Sequence, residues 1–122
     1  MKIGYFDTKE FESRDGAKSP FGETVVKPEL VHLLNRIREH FGKPIIVNSA
    51  YRSPAHNAAV GGVANSFHVQ GLAADIRPES SEDLGDLQDL CLELVADGGV
   101  GLYDTFVHVD ARGHRARWDN RS

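Results

Sequence analysis

With a single cysteine, Cys91, the chain cannot close an internal disulfide, so a buried core must hold its fold. Cys91 falls within an apolar helical pattern, which marks a buried thiol rather than a reactive one. No apolar run approaches the roughly 20 residues of a membrane span, and Met1 to Asp7 is too polar for a signal peptide. The chain as written is therefore expected to be made in the cytoplasm. Basic residues are not in excess: 14 Lys and Arg against 18 Asp and Glu give a formal net charge of −4, which argues against nucleic acid as a partner. Internal repeats, low-complexity tracts and linkers are also missing. One domain over residues 1–122 is expected, with a single cleft to carry any chemistry.

What is present reads in order. Asp7 to Glu23 mixes Asp, Ser, Gly, Lys and Pro without a sustained period, so residues 1–27 read as a loop-rich arm with Phe6, Phe11 and Phe21 as anchors. Pro28 suits a first helical position. Leu30, Leu33, Leu34, Ile37 and Phe41 then mark one helix face, closed by Gly42 and Pro44. His32 and His40 lie on the polar side or the end of that helix and are not taken as ligands. Ile45 to Ser49 is a β-branched strand, and Arg52 follows at its end before a Ser53-Pro54 turn. Arg52 reads either as a solvated charge or as a planar guanidinium aimed into a cleft, and composition alone favours the first. His56, in the connection from Ala55 to Asn65, reads as structural.

Ser80-Ser81-Glu82-Asp83 resembles a helix start with a hydroxyl cap, followed by a buried stripe of Leu84, Leu87, Cys91, Leu94 and Val95. Gly99 to Tyr103, Phe106 to Asp110 and Arg115 to Trp118 read as short strands. Two helices and a run of strands give an α+β domain with a small, largely antiparallel sheet covered by helices on one face.

The densest chemistry lies in Ser66 to Asp75, answered by Phe106 to Asp110. His68, Asp75 and His108 can supply three ligands to one zinc and leave a position for water, which is the composition of a catalytic site. If their segments are strands, Ala73 and Asp75 share a face, as do His108 and Asp110. Histidines also serve as hydrogen-bonded core residues, and the pattern alone leaves both roles open.

The residues Tyr51-Arg52-Ser53, Asn57, Val60-Gly61-Gly62, Asn65-Ser66, His68, Gly71, Ala73-Ala74-Asp75 and His108-Val109 resemble the zinc D-alanyl-D-alanine carboxypeptidase family of cell-wall peptidases. The signature Ser-x-His-x-x-Gly-x-Ala-x-Asp carries the likeness, which spans residues 28–118. The resemblance implies the fold shared with lysostaphin-type endopeptidases and the hedgehog signalling domain. It also implies zinc held by His68, Asp75 and His108, a substrate carboxylate bound by Arg52, and Ser66 tightening the turn beside the metal. The partners it implies are peptidoglycan stem peptides, met by a monomer. A short chain without a leader suits a phage lysis factor that reaches the wall after lysis or export.

Many members of that family carry an acid three residues before the second histidine ligand, where this chain has Thr105. The wording Gly-Val-Gly-x-Tyr and Phe-Val-His-Val-Asp is closer to a murein-endopeptidase-like branch with an acid after the histidine. Asp110 and Asp104 are therefore the candidate proton shuttles, and Asp110 stands about 7 Å along a strand from His108 on the same face. The same position also suits an Asp110 that orients a ligand or pairs with Arg112 or Arg115. The expected activity is zinc-dependent hydrolysis of stem peptides, as a D,D-carboxypeptidase or an endopeptidase. The alternative is a zinc-bearing module that binds peptide carboxylates or cell wall without cleaving them.

Overall fold

The computed structural model describes residues 1–122. The arm is more structured than its composition predicts. Lys2–Ile3 (β1) and Phe6–Asp7 (β2) form a minimal antiparallel hairpin, and a 3-10 turn follows over Thr8–Phe11. Asp7 caps that turn: its carboxylate accepts from the Lys9 amide, and Glu10 reaches back to the Asp7 amide at 2.8 Å. Strands of two residues are too short to leave a periodic signal. Phe6 and Phe11 are buried with ring centroids 5.7 Å apart, and Phe21 packs at the edge of the core. The anchors fall where the sequence reading placed them.

Pro28–Phe41 forms α1, with Leu30, Val31, Leu34 and Ile37 buried and Gly42 ending it. Ile45–Ser49 is β3. Pro54–Ala59 is a short helix, α2, started by the Ser53 hydroxyl, which accepts from the His56 amide. Ala73–Pro78 is β4, and a 3-10 turn over Ser81–Asp83 leads into α3, Leu84–Leu94. The hydroxyl cap expected for Ser80 to Asp83 is absent: Ser80 leads the 3-10 turn with its carbonyl accepting from the Asp83 amide, and its side chain makes no capping hydrogen bond. Gly99–Leu102, Val107–Asp110 and Ala116–Asp119 are β5, β6 and β7.

The main sheet runs β3-β4-β6-β5-β7 and is antiparallel except for the β5/β7 pair. Period-two alternation gives its faces opposite jobs. Ala74, Ile76, Val100, Leu102, Val107 and Val109 are buried in one apolar cluster with Leu30, Leu34 and Ile37 of α1 and Leu87 and Cys91 of α3. Burying each of the larger of these side chains is worth roughly 1.5–3 kcal/mol, so this layer fixes the register of β4, β5 and β6. Burial also pushes the Cys91 thiol up to about 12. The other face carries a row set by the ladder: Ser49 opposes Asp75, Asp75 opposes His108, His108 opposes Gly101, and Gly101 opposes Trp118. The apolar layer thus aligns the polar row. No helix is long and apolar enough to cross a membrane.

Candidate metal centre

Asp75 enters the row from β4 and His108 from β6, while His68 comes from the turn between Ser66 and Gly71. That turn is built for close passage. The Ser66 hydroxyl accepts from the His68 amide at 3.2 Å, and the Ser66 carbonyl accepts from the Val69 amide at 3.1 Å. Gly71 has φ +71, and the Phe21 ring occupies the space a side chain there would need. The chain can then turn into β4 within the seven residues that separate His68 from Asp75.

His68 Nε2 lies 3.3 Å from Asp75 Oδ1, and His108 Nδ1 lies 3.0 Å from the same oxygen. The outer nitrogens are engaged as well. His68 Nδ1 meets the Ala50 carbonyl at 2.7 Å, and His108 Nε2 meets Asp110 Oδ2 at 2.8 Å. A carbonyl and a carboxylate only accept, so both outer nitrogens carry the ring proton. Each neutral imidazole therefore turns a lone pair toward the Asp75 carboxylate. Three acceptors facing one point repel unless a cation or extra protons sit between them.

A metal fits this arrangement. Two ligand atoms about 2.0–2.1 Å from a tetrahedral zinc stand roughly 3.3 Å apart, which is close to the separations found here. Acceptors behind both histidines are what zinc sites use to fix tautomer and ring direction. His68, Asp75 and His108 are the group with ligand atoms mutually within 4.8 Å. Two nitrogens and one oxygen suit zinc, with room left for water.

Electrostatics in the metal-free protein reflect the crowding. Burial raises the Asp75 pKa, but hydrogen bonds with His108 and His68 outweigh it and hold the carboxyl well below the usual range. For His108, burial opposes the charged form, yet hydrogen bonds with Asp110 and Asp75 prevail and raise its pKa.

Arg52 sits beside Asp75 rather than in solvent. Its Nη2 lies 3.3 Å from Asp75 Oδ2, its Nε donates to Ser49 Oγ at 3.2 Å, and its Nη1 to Asn57 Oδ1 at 3.4 Å. Asn57 is itself fixed by donating to the Val63 carbonyl at 2.7 Å. Three of the five guanidinium N–H groups are engaged in this way, which leaves two for a ligand. Asp75 thus offers one oxygen to the centre and the other to Arg52.

Asp110 is on the same face as His108, but it stands behind that histidine. It is fully buried, and its oxygens accept from the Gly99 amide at 2.9 Å and from Arg112 Nε and Nη2 at 2.9 and 2.8 Å. Every lone pair has a donor, and none faces the cleft. Asp104 is exposed and accepts from the Ser122 amide and hydroxyl at 2.9 and 2.7 Å; with Thr105 it lines a different hollow beside Arg77. Neither acid lines the cleft into which His68, Asp75 and His108 open.

The ligand atoms open into a cleft of about 520 Å³ walled by Arg52, Phe67, Tyr103, Phe106, Arg112 and Trp118. The only acid lining it is Asp75. Sequence reasoning missed the wall. Arg112 lies over the Phe67 ring at 4.5 Å and Trp118 lies 5.1 Å from His108, contacts that depend on strand order and turns rather than local pattern.

The family model of peptidase M15 matches residues 4–110, and the chain belongs to that family, the zinc D-Ala-D-Ala carboxypeptidase-like peptidases. No curated protein gave a match to the chain.

Proposed function

We propose that this chain is a zinc-dependent peptidase of peptidoglycan stem peptides, acting as a D,D-carboxypeptidase or, as the murein-endopeptidase-like wording suggests, an endopeptidase. The observation that carries the reading is the convergence of His68 Nε2, His108 Nδ1 and Asp75 Oδ1 at the floor of an open, cationic cleft. The protein as a whole is acidic, yet two arginines and one acid line that cleft, so its local field favours an anionic peptide.

Bound zinc supplies Lewis acidity toward the scissile carbonyl and the attacking water. The rest belongs to the chain. His68 and His108 are held as proton-bearing rings on their outer sides by Ala50 and Asp110, so their inner nitrogens stay free to ligate. Asp110 is therefore a positioning residue, and the proton-shuttle role expected of Asp110 or Asp104 does not follow from where they stand. Arg52 uses its two remaining N–H groups for a substrate carboxylate, a contact suited to a planar fork. Phe67, Tyr103, Phe106 and Trp118 give the cleft apolar walls against which a peptide can pack.

A second reading is favoured by one observation: no carboxylate other than Asp75 lines the cleft. A zinc-bearing module that binds peptide carboxylates without cleaving them would have that property. Digestion of purified peptidoglycan by the zinc-loaded protein, with and without chelator and with mass analysis of released peptides, separates the two. Chelator-sensitive release supports the peptidase, and intact stem peptides that remain bound support the module.

A further inference from the structure

With Asp110 behind His108 and Asp104 outside the cleft, the cleft still holds one phenol, Tyr103. Trp118 Nε1 donates to the Tyr103 hydroxyl at 2.9 Å. A phenol that accepts on its oxygen keeps its own proton to donate, and no protein acceptor takes the Tyr103 proton. The hydroxyl therefore presents an uncommitted donor to a cleft whose other wall holds the metal ligands.

Its position is fixed from three sides. The Tyr103 ring stacks on Phe106 at 4.4 Å with an interplanar angle of 7°. The Tyr103 and Phe106 carbonyls both accept from the buried Gln88 amide, at 2.9 and 3.2 Å. Trp118 reaches the hydroxyl across Gly101, where a side chain would run into the indole. Because Gly101 lies between His108 and Trp118 in the ladder, the indole packs against His108 at 5.1 Å and sets the hydroxyl one ring away from a metal ligand.

We infer that Tyr103 is a catalytic residue of this site, donating its hydroxyl hydrogen bond to the scissile carbonyl oxygen as that oxygen gains negative charge. This rests on the peptidase reading. No proton needs to leave Tyr103, so the role holds for a neutral phenol, and a donor fixed before the reaction costs no reorganisation when charge develops. Trp118 is the positioning residue that aims it.

The test compares the zinc-loaded wild type with Tyr103→Phe on purified muropeptides, alongside binding of a phosphinate peptide that mimics the tetrahedral stage. The substitution keeps the ring and its stacking and removes one hydroxyl. Expected are a loss of about 100- to 1,000-fold in kcat, the scale of one removed oxyanion donor, with KM, zinc content and Tm unchanged. Phosphinate affinity should fall by a similar factor while product affinity stays level. Trp118→Phe should lose less, and the double variant should be no slower than Tyr103→Phe alone. A Tyr103→Phe protein with kcat within about twofold of the wild type and unchanged phosphinate affinity overturns the assignment. A wild type that cleaves nothing with zinc bound overturns the peptidase reading and this one with it.

Discussion

Replacing Asp110 with Asn changes one atom, and the structure says which property that atom controls. Asp110 Oδ1 accepts from the Gly99 amide and from the Arg112 backbone amide and Nε, while Oδ2 accepts from His108 Nε2 and Arg112 Nη2. An asparagine has one oxygen to place. Three donors surround the Oδ1 position, so the oxygen stays there and the new NH2 faces His108. His108 Nε2 must then accept, which moves the ring proton to Nδ1, the nitrogen that meets Asp75. The ligating lone pair is lost in that tautomer. Loss of the partner behind a zinc-bound histidine costs typically about 10- to 100-fold in metal affinity, or roughly 1.4–2.7 kcal/mol. Arg112, half-buried at the wall of the cleft, also loses a charged partner, so stability should fall by about 1.5–3 kcal/mol. Competition with a chelator of known affinity measures the first effect, and urea unfolding of the metal-free protein the second. Asp104→Asn should change neither. The reasoning is refuted if Asp110→Asn binds zinc as tightly as the wild type yet turns over about 100-fold more slowly, because that result makes Asp110 the proton shuttle.

Two further outcomes follow from the same geometry. Arg52→Lys should keep zinc content and raise KM for carboxylate-bearing peptides about tenfold or more, since a point charge cannot reproduce the planar fork; steady-state kinetics on free and amidated stem peptides checks it, and an unchanged KM ratio returns Arg52 to a purely structural role beside Asp75. Zinc affinity should depend on pH through His108, whose pKa in the metal-free protein is raised. That raised pKa stabilises the metal-free fold fully below the ordinary histidine value, and the contribution is lost as pH rises through the folded value. Zinc has the opposite preference, because it must displace the proton: affinity should rise about tenfold per pH unit up to the folded pKa of His108 and then flatten. Asp75, held low, stays ionised throughout that range. A competition titration between about pH 5 and pH 8 that shows no slope contradicts the assignment of His108 as a ligand.

Much of the fold was legible because it rests on local pattern. The spacing of Leu30, Leu34 and Ile37 defined α1, and alternation in Phe106 to Asp110 placed His108 and Asp110 on one face, as found. The three converging side chains were legible from the Ser66 to Asp75 signature and the later histidine. What escaped was anything set by long-range pairing. The parallel docking of β7 on β5 brings Trp118 to Tyr103 and His108, and no pattern within Arg115 to Trp118 announces it. The direction of the Asp110 carboxylate was undetermined for a related reason. Sharing a face with His108 fits both a shuttle and a support, and the contacts that hold the carboxylate, from the Gly99 amide and the returning Arg112 side chain, come from outside its strand. The hydroxyl cap expected for Ser80 to Asp83 did not form, because a 3-10 turn occupies Ser81–Asp83 and α3 begins only at Leu84.

The most direct test of the account is the metal content of the protein itself. Elemental analysis after dialysis against zinc and removal of loose metal should find one zinc per chain in the wild type. None should remain in stoichiometric amount in His68→Ala or in His108→Ala, since each removes one of the nitrogens that meet Asp75. Full zinc retained in both variants would show that the two lone pairs and the Asp75 carboxylate do not converge on a metal.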